Sequence, residues 1–183
     1  MECPRCGLHV NDEVPKCAGC GFSIGDLDAQ LGTAPVRDGA LTDLARLVDD
    51  GARDALRVHV QGLSESLKGE IVVVTVPTTA PVTPRQYAFW LLNKWDVGGA
   101  LNTGCLVLIA KHERRVECEV GYSWEAMLTD DEAGVVLDDA VVPHLKEGRF
   151  TDAIRAGVDA LALRIRRGPA EAEPGPRETG AST

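Results

Sequence analysis

The chain has 183 residues, 44% of them hydrophobic, and 19 Lys+Arg against 28 Asp+Glu give a formal net charge of −9. That is enough apolar material for one globular core with small appendages. It is too acidic for a general polyanion binder, whose phosphate contacts need a basic face, and no run of Lys and Arg suggests a local basic patch.

Anionic membrane surfaces are disfavoured for the same reason. No stretch approaches the ~20 apolar residues of a membrane helix. The opening MECPRCGLHVNDEV lacks the basic start and apolar run of a secretory signal. The expectation is a soluble, cytoplasmic protein with no membrane span.

Residues 1–25 carry Cys3, Cys6, Cys17 and Cys20 as two C-x2-C pairs, each followed by a glycine. Two intervening residues let both thiolates of a pair reach one ion from a tight turn, and two such turns complete a closed tetrahedral site. The reading is a small ribbon holding structural zinc, against a rubredoxin-like iron site or a redox dithiol. The segment is poor in apolar residues, so the metal contributes much of its folding energy. Arg5 and Lys16 face five acids, Glu2, Asp12, Glu13, Asp26 and Asp28. That disfavours nucleic acid and leaves a protein partner or a plain structural appendage.

Residues 26–39, broken by Gly32, Pro35 and Gly39, read as a linker. The globular part spans residues 40–167. Leu44, Val48, Ala52, Leu56, Val60 and Leu67 predict a long helix from about Leu41 to Leu67, closed by Lys68-Gly69 with the glycine left-handed. EIVVVTV, residues 70–76, is apolar on both faces and predicts a central strand. Pro84 starts a helix to about Trp95, where Tyr87, Trp90 and Trp95 are packing groups. TGCLVLIA, residues 103–110, is a second two-faced strand. After the turn Lys111–Arg114, RVECEV alternates: Val116, Cys118 and Val120 face the core, and Glu117 and Glu119 face outward. Cys105 and Cys118 are core residues. A helix runs from about Asp130 to Val142 and is ended by Pro143. The last carries Phe150, Ile154, Val158, Leu161 and Ile165. The Pro-, Gly- and Glu-rich residues 168–183 read as a disordered tail. The order predicts an α/β fold, a small mixed sheet with helices on both faces.

The turn GYSWEAMLTDDE follows the third strand. Thr129 and Glu132 form a capping box, and Asp130 and Asp131 suit the positive end of the helix dipole. Pairing Ala110 with Arg115 places Gly104 opposite Gly121 and Asn102 opposite Ser123. Asp96, Asn102, Glu125, Asp130 and Asp131 then converge at one end of the sheet. Oxygen ligands of this kind suit calcium or magnesium. This is the end where the parallel strands start, not the end where α/β sheets usually bind ligands.

QYAFWLLNKWDVGG, NTGCLVLIAKHERRVECEVGYSWEAMLTDDEA and VVPHLKEGRFTDAIRAGVDAL resemble the TPM domain family, over roughly residues 36–165. The matching positions are Trp95, Gly98, Asn102, Gly104, Gly121, Tyr122, Glu125 and Asp130. The resemblance implies a three-layer α/β/α sandwich, here preceded by the small zinc ribbon. Calcium binding and a phosphatase activity are attributed to some members, and photosystem repair or envelope roles to others. Ser123 stands where the family turn has a second glycine, and Trp124 follows it.

Two function classes result. One is a non-catalytic accessory module, with a divalent-cation site and a ribbon that docks a protein partner. The other is a metal-dependent hydrolase of phosphate esters, in which Asp96, Glu125 and Asp130/Asp131 hold the ion and orient water. The module is preferred. No nucleophile, general base or cationic cluster marks a hydrolase, and no P-loop, nucleophile elbow or H-E-x-x-H occurs. His9, His59, His112 and His144 lie in no ligand spacing.

Overall fold

The computed structural model describes residues 2–9 and 16–168. Four strands lie side by side in chain order: β1 (Leu41–Asp43), β2 (Glu70–Val76), β3 (Gly104–Ala110) and β4 (Arg115–Val120). β1, β2 and β3 are parallel, and β4 returns antiparallel. Ala110 pairs with Arg115, the register that the four-residue turn requires. β2 and β3 are buried on both faces, as continuous apolar strands must be.

Each face has its own cover. The helices α2 (Arg53–Leu67), α4 (Asp130–Ala140) and α6 (Phe150–Arg167) pack over Ile71, Val73, Cys105 and Val107. The other face, Val72, Val74, Leu106 and Leu108, is covered by α3 (Pro84–Lys94) and by the N-terminal segment through Cys3, Cys17, Phe22 and Leu27. This is the α/β/α sandwich. Cys105 and Cys118 lie in its core. Among the described residues, no helix is long and apolar enough to cross a membrane.

Three expectations give way. The long helix from Leu41 is a strand and a turn followed by the shorter α2. Asp43 makes the turn: its carboxylate accepts the N–H groups of Leu47 and Val48, each at 3.0 Å, and takes the Thr75 hydroxyl. Arg46 has a φ of 51°, outside any helix. The apolar spacing of Leu41, Leu44 and Val48 therefore belongs to a sheet edge and its turn.

The stretch read as a linker is structured. It holds most of α1 (Ile24–Leu31), whose Leu27 is buried. Asp28 accepts from Trp90 Nε1 at 2.9 Å and from Lys94 Nζ at 2.8 Å, and Trp95 Nε1 donates to the Pro35 carbonyl at 2.9 Å. The segment is a strap across α3.

The helix from Asp130 stops at Ala140. Pro143 sits in the first turn of a further short helix, α5 (Val142–Lys146). Proline is tolerated there because a first-turn N–H has no intrahelical partner. Of the tail expected to be disordered, residues 169–183 lie outside the described residues.

Gly69 is needed for a different reason than the one expected. Lys68 takes the left-handed conformation, with a φ of 54°. A Cβ on Gly69 would run into the ring of Trp124 and lie 2.5 Å from the Thr103 carbonyl. Trp124, 2% exposed, is seated on that bare backbone. Gly69→Ala is expected to cost about 1–3 kcal/mol by overpacking, and Trp124→Ala about 3–5 kcal/mol by leaving a cavity. Because the two groups touch, the double variant should cost less than the sum; urea denaturation of all four proteins measures the coupling.

Candidate functional site

The four cysteines come together from two matching turns. Cys3 N–H donates to Leu8 O and Gly7 N–H to Cys3 O; Cys17 N–H donates to Phe22 O and Gly21 N–H to Cys17 O, all between 2.8 and 2.9 Å. Gly7 and Gly21 take φ values of 74° and 72°, the left-handed turn that closes each knuckle. The ligand sulfurs all lie within 4.8 Å of one another. Cys3 and Cys20 are 3.7 Å apart and Cys6 and Cys17 3.6 Å. Four thiolates at ~2.3 Å from a tetrahedral zinc would stand about 3.8 Å apart. The cluster is thus positioned to hold a metal ion and is compatible with zinc. The thiols differ in acidity: the Cys20 backbone bond brings Cys17 down to about 7. Cys20 is pushed up to about 12, because burial and the crowding sulfurs outweigh the backbone bond at Phe22.

A second cluster lies where this segment meets the sheet. Thr83 caps α3, Pro84 opens it, and Arg85 follows. Arg85 is the sole charged residue from Ile71 to Asn93. Its Nη2 lies 2.8 Å from Glu2 Oε2 and 4.0 Å from Asp130 Oδ2, and its Nε lies 3.8 Å from Glu119 Oε1. Asp130 Oδ1 accepts the Val120 N–H at 2.9 Å. That N–H points off the free edge of β4, so the first residue of α4 caps the end of the sheet.

Glu119 is 1% exposed. The outward face expected for it lies beneath α3 and the N-terminal segment, because β4 is covered on both sides at this end. Among the described residues, Glu119 Oε2 and Asp130 Oδ2 are buried without a hydrogen-bond partner. Burial pushes the Glu119 carboxyl well above the usual range; Asp130 adds to the rise and Arg85 opposes it. Burial also raises Asp130, against the lowering bond from Val120. Arg85 is held charged: its carboxylate neighbours outweigh a burial that acts to lower it.

The acids singled out in the sequence divide. Glu125, Asp130 and Asp131 line one cleft of about 370 Å³ with Thr129 and with Glu2 and His9 of the N-terminal segment. His9 Nε2 is 4.0 Å from Glu125 Oε2. Asp96 and Asn102 do not line it; both take left-handed conformations and shape the loop before β3. Asp96 O accepts the Gly99 N–H, and Asn102 O accepts the Ser123 N–H. Ser123 Oγ donates to Leu101 O at 2.5 Å, so the hydroxyl replacing the family glycine ties the turn to that loop. Another carboxylate occupies the loop itself: Glu70 Oε2 accepts the Gly98 N–H at 2.9 Å while Oε1 pairs with Arg37. Burial acts to raise Glu70, but Arg37 and the Gly98 N–H outweigh it and its pKa is lowered. The capping box forms as expected, with Thr129 Oγ1 accepting from Glu132 N at 3.2 Å and Glu132 Oε2 accepting from Thr129 N at 3.0 Å.

Glu2, Arg85, Glu119 and Glu70 were missed as partners of these loops. The isolated Arg85 was the one signal available, since a lone charge in an apolar stretch needs a counter-charge. Because the folded protein favours neutral Glu119, its share of stability is full below about pH 4.3 and falls as pH rises toward the folded pKa, by up to about 1.4 kcal/mol per pH unit. Glu119→Gln removes that fall. Urea denaturation across a pH series should show the variant losing less stability than wild type between mildly acidic and neutral pH.

The TPM domain family model matches residues 41–164, more than half of the chain. Nothing among curated proteins matches. An N-terminal domain from P. gingivalis, solved by solution NMR, superposes with a TM-score of 0.64 at 26% identity, over 70% of this chain and 82% of that one. The N-terminal domain of the cg2496 protein from Corynebacterium glutamicum shares the fold at 13% identity and a TM-score of 0.57, over 77% of this chain and 89% of its own. The BA42 protein from Bizionia argentinensis does so at 17% and 0.57, over 67% and 84%. With its mixed sheet between two helical layers and its matched span, the chain belongs to the TPM domain family.

Proposed function

We propose that this chain is an accessory binding module: a TPM domain stapled by a zinc-holding N-terminal segment, with a divalent-cation cleft where the two meet. The observation that carries the reading is Asp130. Its side chain is 8% exposed, its Oδ2 is buried with no hydrogen-bond partner among the described residues, and the residue lines the cleft together with Glu125, Asp131 and Glu2. Clustered carboxylates repel unless they share a proton or a cation. Calcium or magnesium, hard ions that take oxygen ligands, suit such a set.

Zinc is the ion we assign to Cys3, Cys6, Cys17 and Cys20, on the sulfur spacing and the closed set of four ligands. Its role is structural and acts in cis, since Cys3 and Cys17 pack with Phe22 and Leu27 against α3. The outward side, with Leu8 and Cys6 exposed, is the surface left for a protein partner. A phosphate-ester hydrolase at this cleft finds less support. Arg85, which pairs with the cleft residues Glu2 and Asp130, already faces three carboxylates and has no charge to spare for a substrate phosphate.

Thermal unfolding with added calcium or magnesium tests the cleft. An ion bound only by the folded protein raises stability by about 2.7 kcal/mol at a hundredfold excess over Kd. The Glu125→Gln/Asp131→Asn variant should lose that gain while keeping its metal-free stability; equal stabilisation of both proteins would overturn the reading. Metal analysis of purified protein should find zinc near one per chain. Chelation should lower Tm and alter tryptophan fluorescence, because the strap that holds Trp90 and Trp95 is released.

A further inference from the structure

A further groove lies at the opposite end of the sheet from the carboxylate cleft. It measures about 810 Å³ and opens beside the β3–β4 hairpin, against α4, α5 and the start of α6. This is the end where parallel β2 and β3 finish, at Val76 and Ala110, the usual place for a ligand in an α/β sheet. Its volume is that of a small-molecule site.

The lining has two parts. Val116, Val142, Leu145 and Phe150, all half-buried, make an apolar floor. Gly134 leaves one wall open, since a Cβ there would meet nothing within 4 Å. Around the floor stand Lys111, Arg114, Arg115 and Lys146, a basic concentration on a chain of net charge −9. Arg115 is engaged by Glu117 at 3.5 Å. Among the described residues, Lys111, Arg114 and Lys146 have no ion-pair or side-chain hydrogen-bond partner. The hairpin's own acid does not neutralise them. Glu113 turns toward the β2–α3 loop, where its Oε1 accepts from Thr78 Oγ1 at 2.6 Å and Thr79 N at 2.9 Å. Asp138 is the acid left in the lining without an ion-pair partner.

Three unpaired cations above a half-buried apolar floor match one ligand chemistry. We propose that this groove binds an amphiphilic carboxylate: the headgroup lies among Lys111, Arg114 and Lys146, and an acyl chain lies over Val116, Val142, Leu145 and Phe150. A headgroup alone would leave the floor exposed to water, and an uncharged chain would leave the cations unpaired. The hairpin places Lys111 and Arg114, α5 places Lys146, and the floor joins Val116 of β4 to Val142, Leu145 and Phe150 of the helices, so both halves of the site need the strand and the helices together.

The test is an amide NMR titration of the full chain with octanoate, 1-octanol and acetate as probes. Octanoate should shift the amides of Val116, Val142, Leu145 and Phe150 saturably, with 1-octanol and acetate each at least about tenfold weaker. Lys111→Gln/Lys146→Gln, two exposed positions, should weaken octanoate by about three- to tenfold. Asp138→Asn, which removes the opposing charge, should tighten it. Octanol binding as well as octanoate, or acetate doing so, would overturn the proposal. So would affinity that is unchanged by the lysine substitutions, or shifts that fall outside the groove.

Discussion

β2 and β3 are apolar on both faces, and everything else in the chain answers to that. A sheet of this kind has no side that tolerates water, so it must be covered twice. Three helices cover one face. On the other, α3 is the only long helix among the described residues, and the remaining area falls to Cys3, Cys17, Phe22 and Leu27. The N-terminal cysteine segment is therefore a part of the core as well as a cluster positioned to hold a metal ion. Its turns hold the sulfurs on one side and close the sandwich on the other.

The same geometry explains why carboxylates gather where they do. Where β4 ends and α4 begins, a sheet edge, a helix start and the N-terminal segment meet. Asp130 serves the edge through Val120 and the helix through its position in the first turn. Glu119 is trapped beneath because the strand alternation that turns Val120 inward turns Glu119 toward Arg85. One arginine on α3 then balances acids from three different parts of the chain. That balance leaves two oxygens without hydrogen bonds among the described residues, and the neighbouring cleft is lined by Glu2, Glu125, Asp130 and Asp131.

Short-range features were legible in the sequence. The hairpin register followed from a four-residue turn, the α4 start from Thr129 and Glu132, and the α3 start from Pro84. Tertiary substitutions for those local rules were not. Leu41 fits a helical stripe, and only the Asp43 turn and its bond to Thr75 make it a strand. Residues 26–39 carry ordinary linker breakers, yet Asp28 and Leu27 fasten them to α3. Strand alternation assigns Glu119 to a face but cannot say what covers that face. In the acidic turn, Glu125, Asp130 and Asp131 line one cleft. Asp96 and Asn102 were drawn in by register and are used through their backbones. The groove's cations escaped notice because Lys111 and Arg114 of the hairpin share a groove with Lys146 of α5 only in the folded chain.

The capped Val120 N–H has a consequence for the molecule's solubility. β4 is one of the two edge strands, and an unpaired strand edge is a template on which another chain can add. Here one end of that edge is occupied by a side-chain carboxylate. The other end opens among Arg114, Arg115 and Lys111, charges that repel a second copy of the same strand. This edge is guarded against growing into a neighbour by two devices of opposite sign, one at each end of β4.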